Sequence, residues 1–167
     1  VVLQPETTAQ AGDHILSWNL QSWTKRVPDE SIPTVLKLKW LEPRHIVNIE
    51  NRWSRQRTND LQHAFFNGVG YVAWENVFGF INRFTDRDAE TLRRIALIQR
   101  AFAPLIVSPH WRPYERTLQA GIFASRFPGE QRTLWTLINR QEYTIGGEQL
   151  SLQHDPGARY YDIWAGI

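Results

Sequence analysis

The sequence predicts an α/β fold: a partial (β/α) TIM-type barrel over residues 1–106, followed by a small antiparallel β-sandwich module over residues 107–167. Three observations predict it. Strand-like and helix-like stretches alternate through the first hundred residues, which is the pattern of parallel βα units. Each strand-like stretch turns polar at its carboxyl end, where such folds gather their functional groups. From Ser108 onward the pattern changes to short apolar runs separated by Pro-Gly and Gly-Gly turns.

In chain order, residues 14–19 (HILSWN) form the first short apolar run that ends polar, and residues 45–51 (HIVNIEN) repeat that form. Residues 71–76 (YVAWEN) give the third. Residues 55–66 read as a helix, with Leu61, Ala64 and Phe65 at helical spacing and an Asn67-Gly68 stop suited to a left-handed cap. A second helix starts at the N-cap signal Thr85-Asp86-Arg87-Asp88. Its apolar residues Leu92, Ile95, Ala96 and Phe102 recur at helical spacing until Pro104.

Residues 121–127, 132–138, 149–152 and 159–164 read as antiparallel strands, linked by the Pro128-Gly129 and Gly146-Gly147 turns. The boundary between the two modules is expected between Ala103 and Pro109. About sixty residues is small for a free β module, so it should share an apolar interface with the first, through Trp111, Trp135 or Trp164.

The composition narrows the function classes. The chain of 167 residues is 42% hydrophobic and 13% aromatic, which is enough for a core and for surfaces that stack flat ligands such as sugar rings. The formal charge is only +2, and the basic residues are dispersed beside acids, so a nucleic-acid partner is not expected. Cys is absent, which removes disulfide and thiolate chemistry. No apolar run approaches the roughly 20 residues needed to cross a bilayer, and no membrane partner is expected. Met is absent even at position 1, and VVLQPETTAQ shows no targeting pattern, so a processed chain or a piece of something longer is expected.

Alternation along a strand sorts the candidate residues onto faces. Tyr71, Ala73 and Glu75 share one face against Val72 and Trp74, while Ile46, Asn48 and Glu50 share one against Val47 and Ile49. With the apolar sets under the helices, Glu50 and Glu75 line one mouth. Neighbouring strands lie about 4.8 Å apart, so glutamates at matching heights bring their carboxyls within roughly 5–6 Å. One of two carboxyls that close holds its proton to an unusually high pH, which outlines an acid/base or nucleophile pair. The plainer reading is that Glu50 pairs with Arg52 or Arg55 and that Glu75 marks the strand surfacing.

Asn76, Asn51, Asn19, Trp18 and Trp74 are the candidates for holding a sugar, although a large aromatic between strand and helix is more often core. The five histidines show no metal-ligand spacing, so neither a metal nor a cofactor is expected. Gly68-Val69-Gly70 precedes its strand instead of following it, which removes the helix N-terminus that a phosphate loop needs.

Certain stretches carry a resemblance. Arg52-Trp53, residues 60–70 (DLQHAFFNGVG), 74–79 (WENVFG), 87–90 (RDAE), 124–129 (ASRFPG), 132–136 (RTLWT) and 160–164 (YYDIW) together resemble the C-terminal part of a bacterial glycoside-hydrolase-like (β/α)8-barrel protein with a C-terminal β-sandwich. In some relatives that part precedes a formylglycine-generating, sulfatase-modifying type of domain. The resemblance implies a carbohydrate-active protein, a glycan as substrate or ligand, and a secreted or periplasmic setting. Only about three barrel strands fit into residues 13–76 where a closed barrel needs eight. The remainder is expected from upstream sequence or from a partner chain.

Three functions follow as expectations. The first is a carbohydrate-active barrel portion using Glu75 with Glu50 or an absent residue. The second is a non-catalytic carbohydrate-binding or scaffold module. The third is a structural subunit completed by another chain through open sheet edges.

Overall fold

The computed structural model describes residues 16–24, 30–51, 56–73, 76–77, 80–81 and 83–166. A helical turn at 16–18 leads into strand β1 (Gln21–Thr24), then helix α1 (Lys37–Leu41) and strand β2 (Ile46–Glu50). Helix α2 (Thr58–Asn67) and strand β3 (Gly70–Val72) follow. These three strands form a parallel sheet in the order β1-β2-β3. The chain next makes a two-stranded antiparallel pair, β4 (Asn76–Val77) with β5 (Phe80–Ile81), before helices α3 (Asp86–Ala101) and α4 (Ala103–Ile106). It ends in an antiparallel sheet of β6 (Arg112–Glu115), β7 (Ile122–Pro128) and β8 (Thr133–Asn139), in the order β6-β7-β8.

Local chemistry sets the helix ends. Gly68 closes α2 at φ 63° and ψ 42°, the left-handed conformation that the Asn67-Gly68 stop predicts. There the Gly68 N–H donates to the Phe65 carbonyl and the Val69 N–H to the Ala64 carbonyl. Thr85 caps α3: its hydroxyl oxygen accepts the Asp88 N–H at 3.2 Å. That helix stops at Ala101, and Pro104 falls in the first turn of the short α4, where its missing N–H costs nothing.

The barrel expectation is overturned. A (β/α) barrel requires each helix to return the chain to a further parallel strand. Here β3 gives way after Val72 to the β4–β5 hairpin, and α3 and α4 deliver the chain to antiparallel strands. Among the described residues the architecture is a small mixed α/β fold with two three-stranded sheets, one parallel and one antiparallel, and the two-stranded β4–β5 pair.

The sandwich expectation fails as well. Residues 149–152 contribute only the Thr117–Leu150 bridge, and residues 159–164 form no strand, being irregular to 162 and then entering the turn 163–166. In place of a second sheet, α2 packs against β7 and β8, while α4 packs against β7. The first expected strand also lies elsewhere. Residues 16–18 are helical, and β1 begins at Gln21, three positions beyond Trp18.

Two apolar clusters hold the fold. One face of the parallel sheet contributes Val47 and Ile49, which pack with Leu36, Leu38, Ala64 and Val69. The second cluster joins Ile98 of α3, Ile106 of α4, Trp111, Phe127 of β7 and Leu134 of β8, with Phe65 of α2 packed on it. Trp111 stacks on Phe127 with ring centroids 5.9 Å apart and meets Trp40 of α1 edge-on at 5.9 Å. The expected shared interface therefore runs through Trp111.

Candidate functional site

The carboxyl ends of β2 and β3 meet the amino ends of α2 and α3, where open α/β sheets place ligands. In this chain the meeting point is filled by side chains. Asn51, directly after β2, donates its Nδ2 to Asp60 Oδ2 at 2.9 Å, tying the strand end to the first turn of α2. Asp88 of α3 accepts the Arg57 N–H on Oδ2 at 2.9 Å and the Thr58 hydroxyl on Oδ1 at 3.1 Å. Arg87 donates to the same Thr58 hydroxyl oxygen at 2.6 Å.

At the centre lies Arg57, which is fully buried with its guanidinium 4.0 Å from the centre of the Phe84 ring. Tyr71 of β3 meets Phe84 edge-on at 6.0 Å and donates its hydroxyl to the Asn51 carbonyl at 3.4 Å. Burial pushes the Tyr71 phenol well above its ordinary range. The Arg57 guanidinium opposes that shift through its charge and a hydrogen bond, and the Asp60 and Asp88 carboxylates add to it. The cluster therefore favours a neutral Tyr71 beside a buried cation and two buried acids.

Of the expected carboxylate pair, Glu50 falls among the described residues. Glu50 is 3% exposed at the last position of β2. The register pairs Ile49 with Tyr71 and Glu50 with Val72, so Tyr71 shares the face of Ile49 instead of that of Glu50. Glu75 and Trp74 lie outside the described residues. Asn76 opens β4 opposite Ile81 and is no part of the third parallel strand.

The sugar-holding candidates are also separated. Trp18 is 77% exposed and, with Asn19, precedes β1. The Asn19 carbonyl bonds the ring of His45, which stands just before β2. Both therefore belong to the amino ends of the strands, whereas Glu50 and Asn51 belong to the carboxyl end of β2. A strand of five residues puts roughly 15 Å between the two groups. Among the described candidates, Glu50 and Asn51 lie together at the carboxyl end of β2, and Trp18 and Asn19 lie together before β1.

Arg57, Asp60, Tyr71 and Asp88 were not legible as a group. Tyr71 was read only by face, and Asp88 only as part of a helix cap. The available signal was the Arg57-x-x-Asp60 spacing at the start of α2, matched by Thr85-x-x-Asp88 at the start of α3. Among the described residues no group of three His, Cys, Asp or Glu side chains is placed to hold a metal ion, and no helix is long and apolar enough to cross a membrane.

Comparisons with known protein families, with curated proteins and with solved structures find no match. They lend no support to the resemblance to glycoside hydrolases expected from the sequence.

Proposed function

We propose that this chain is a non-catalytic scaffold module, the second of the roles that its sequence allows, and that Glu50 is structural. One observation carries the reading: the acids at the strand and helix ends are turned inward and engaged with the fold. Glu50, Asp60 and Asp88 are all buried, and the latter two accept hydrogen bonds from Asn51, Arg57 and Thr58. A general acid or a nucleophile has to reach a substrate, whereas Glu50 is enclosed and Asp60 and Asp88 are committed to joining α2, α3 and the parallel sheet. The setting in a carbohydrate-active protein is proposed from the resemblance alone, with the exposed Trp18 as the aromatic open to a sugar ring.

The test is an assay of the chain and of Glu50→Gln against a panel of aryl glycosides. Neither protein should turn over any of them. Turnover by the wild type that falls by about 10²-fold in Glu50→Gln would restore a catalytic role.

A further inference from the structure

Residues 33–36 (Pro-Thr-Val-Leu) belong to no helix and no strand, yet the fold encloses them. Pro33 is fully buried and Leu36 is 6% exposed. Their side chains serve both apolar clusters: Leu36 lies within the cluster of Val47 and Ile49, while its neighbour Val35 packs on that of Trp111 and Phe127. Consecutive side chains of an extended chain point to opposite sides, and Leu36 is extended at φ −77° and ψ 115°. Four residues thus stand between the two cores.

A buried extended backbone needs partners for its polar groups, and two side chains supply them here. Asn67, the fully buried last residue of α2, accepts the Leu36 N–H on Oδ1 at 2.9 Å and donates its Nδ2 to the Thr34 carbonyl at 3.0 Å. These two groups flank Val35, so one side-chain amide takes the place of a residue in a neighbouring strand. The same Nδ2 donates to the His63 carbonyl at 2.9 Å within α2, which fixes its orientation. Tyr114 of β6 takes the next group along, donating its hydroxyl to the Pro33 carbonyl.

Tyr114 is held there under strain. It sits at the bulge of β6 between Pro113 and Glu115 with φ 58°, a left-handed conformation that residues other than glycine rarely adopt. Such a conformation persists where the surroundings over-determine it. Those surroundings are the Pro33 carbonyl and the buried Phe66 ring of α2, whose centre lies 5.3 Å from that of Tyr114. The bulge therefore aims one side chain of the antiparallel sheet at the segment that leads into α1.

We propose that residues 33–36 are a clasp, closed by Asn67 from α2 and by Tyr114 from β6, through which the two apolar clusters open and close as one unit. Among the described residues no strand pairs with this segment. Loss of either side chain therefore frees it ahead of the sheets.

Amide hydrogen exchange on the wild type and on Tyr114→Phe tests the clasp. In the wild type the Leu36 N–H should exchange within about tenfold of the slowest amides of β7 and β8, because both clusters must open before it is released. Exchange faster than that would show the clusters opening separately and would overturn the proposal, and if Tyr114→Phe does not fold this comparison decides alone. Tyr114→Phe keeps the ring and removes the hydroxyl. Leu36 is bonded to Asn67, so a response there reports the segment moving as one. Its exchange should quicken about tenfold more than that of β7 and β8. Equal acceleration throughout would mean that the hydroxyl stabilises the whole fold without holding the segment, and would overturn the clasp as well.

Discussion

Asp88 caps a helix to which it does not belong. Its carboxylate accepts the backbone N–H of Arg57 at 2.9 Å, at the N-cap of α2, while its own N–H is held by Thr85 at the start of α3. Arg57 itself provides no side-chain cap for α2, so a residue 31 positions away supplies the acceptor. Two helix amino ends are thereby joined through one carboxylate.

Asp88→Ala should therefore lower stability by about 2–4 kcal/mol, more than an ordinary cap deletion, because a buried N–H and the Thr58 hydroxyl lose their acceptor together. Urea denaturation measures it. A loss under about 1 kcal/mol would mean that water or a neighbour replaces the carboxylate.

Gly68→Ala meets two obstacles at once. The position has φ 63°, and an added Cβ would lie 2.9 Å from the Phe127 ring and 3.1 Å from Ile106. A fall of about 2–3 kcal/mol is expected, against about 1 kcal/mol for the backbone conformation alone. Combining it with Phe127→Leu should recover part of the loss, and additive losses in the double variant would show that the ring contact is unimportant.

Arg57→Met should cost about 3–5 kcal/mol at neutral pH, since it removes the cation from a buried group of acids. Thermal melts of both proteins at neutral pH provide the check, and a deficit under about 1 kcal/mol would mean that the buried acids do not need this cation.

Two groups bend the pH profile, one on the acid side and one on the alkaline side. Burial pushes the His45 imidazole down, so below about pH 6.5 the unfolded chain takes up a proton that the folded chain refuses. Stability falls as pH drops through that region, and His45→Gln should flatten the slope. Tyr71, pushed up by burial, keeps its proton above about pH 10 where the unfolded chain loses it, so stability falls there too. Tyr71→Phe should lack that alkaline decline, and an unchanged decline would assign it to another group.

Local signals were the most legible in the sequence. The Gly68 stop, the Thr85 cap and the Val47/Ile49 face each depend on residues within one element, and the structure contains all three. What depends on partners far along the chain was not legible. Nothing near Tyr71 announces that its register neighbour is Ile49 instead of Glu50, and a one-residue difference in register moves a side chain to the other face. Strand count suffered similarly: the apolar content of residues 159–164 reads as a strand, yet among the described residues no strand pairs with it; the Arg94 side chain bonds the Trp164 carbonyl and Trp164 rests on Phe65.

The unequal reach of the two sheets bears on the order of folding. β7 and β8 pair from Ile122–Asn139 to Pro128–Thr133 across a tight connection closed by the Gly129 N–H on the Arg132 carbonyl. Such a hairpin forms within microseconds, whereas β1 finds β2 and β2 finds β3 only after long crossovers have closed. Phe127 is then in place early, and the end of α2 at Gly68 docks onto a ring already fixed by its hairpin. Substitutions at Leu134 or Phe127 should accordingly slow refolding, while those at Val47 should mainly speed unfolding.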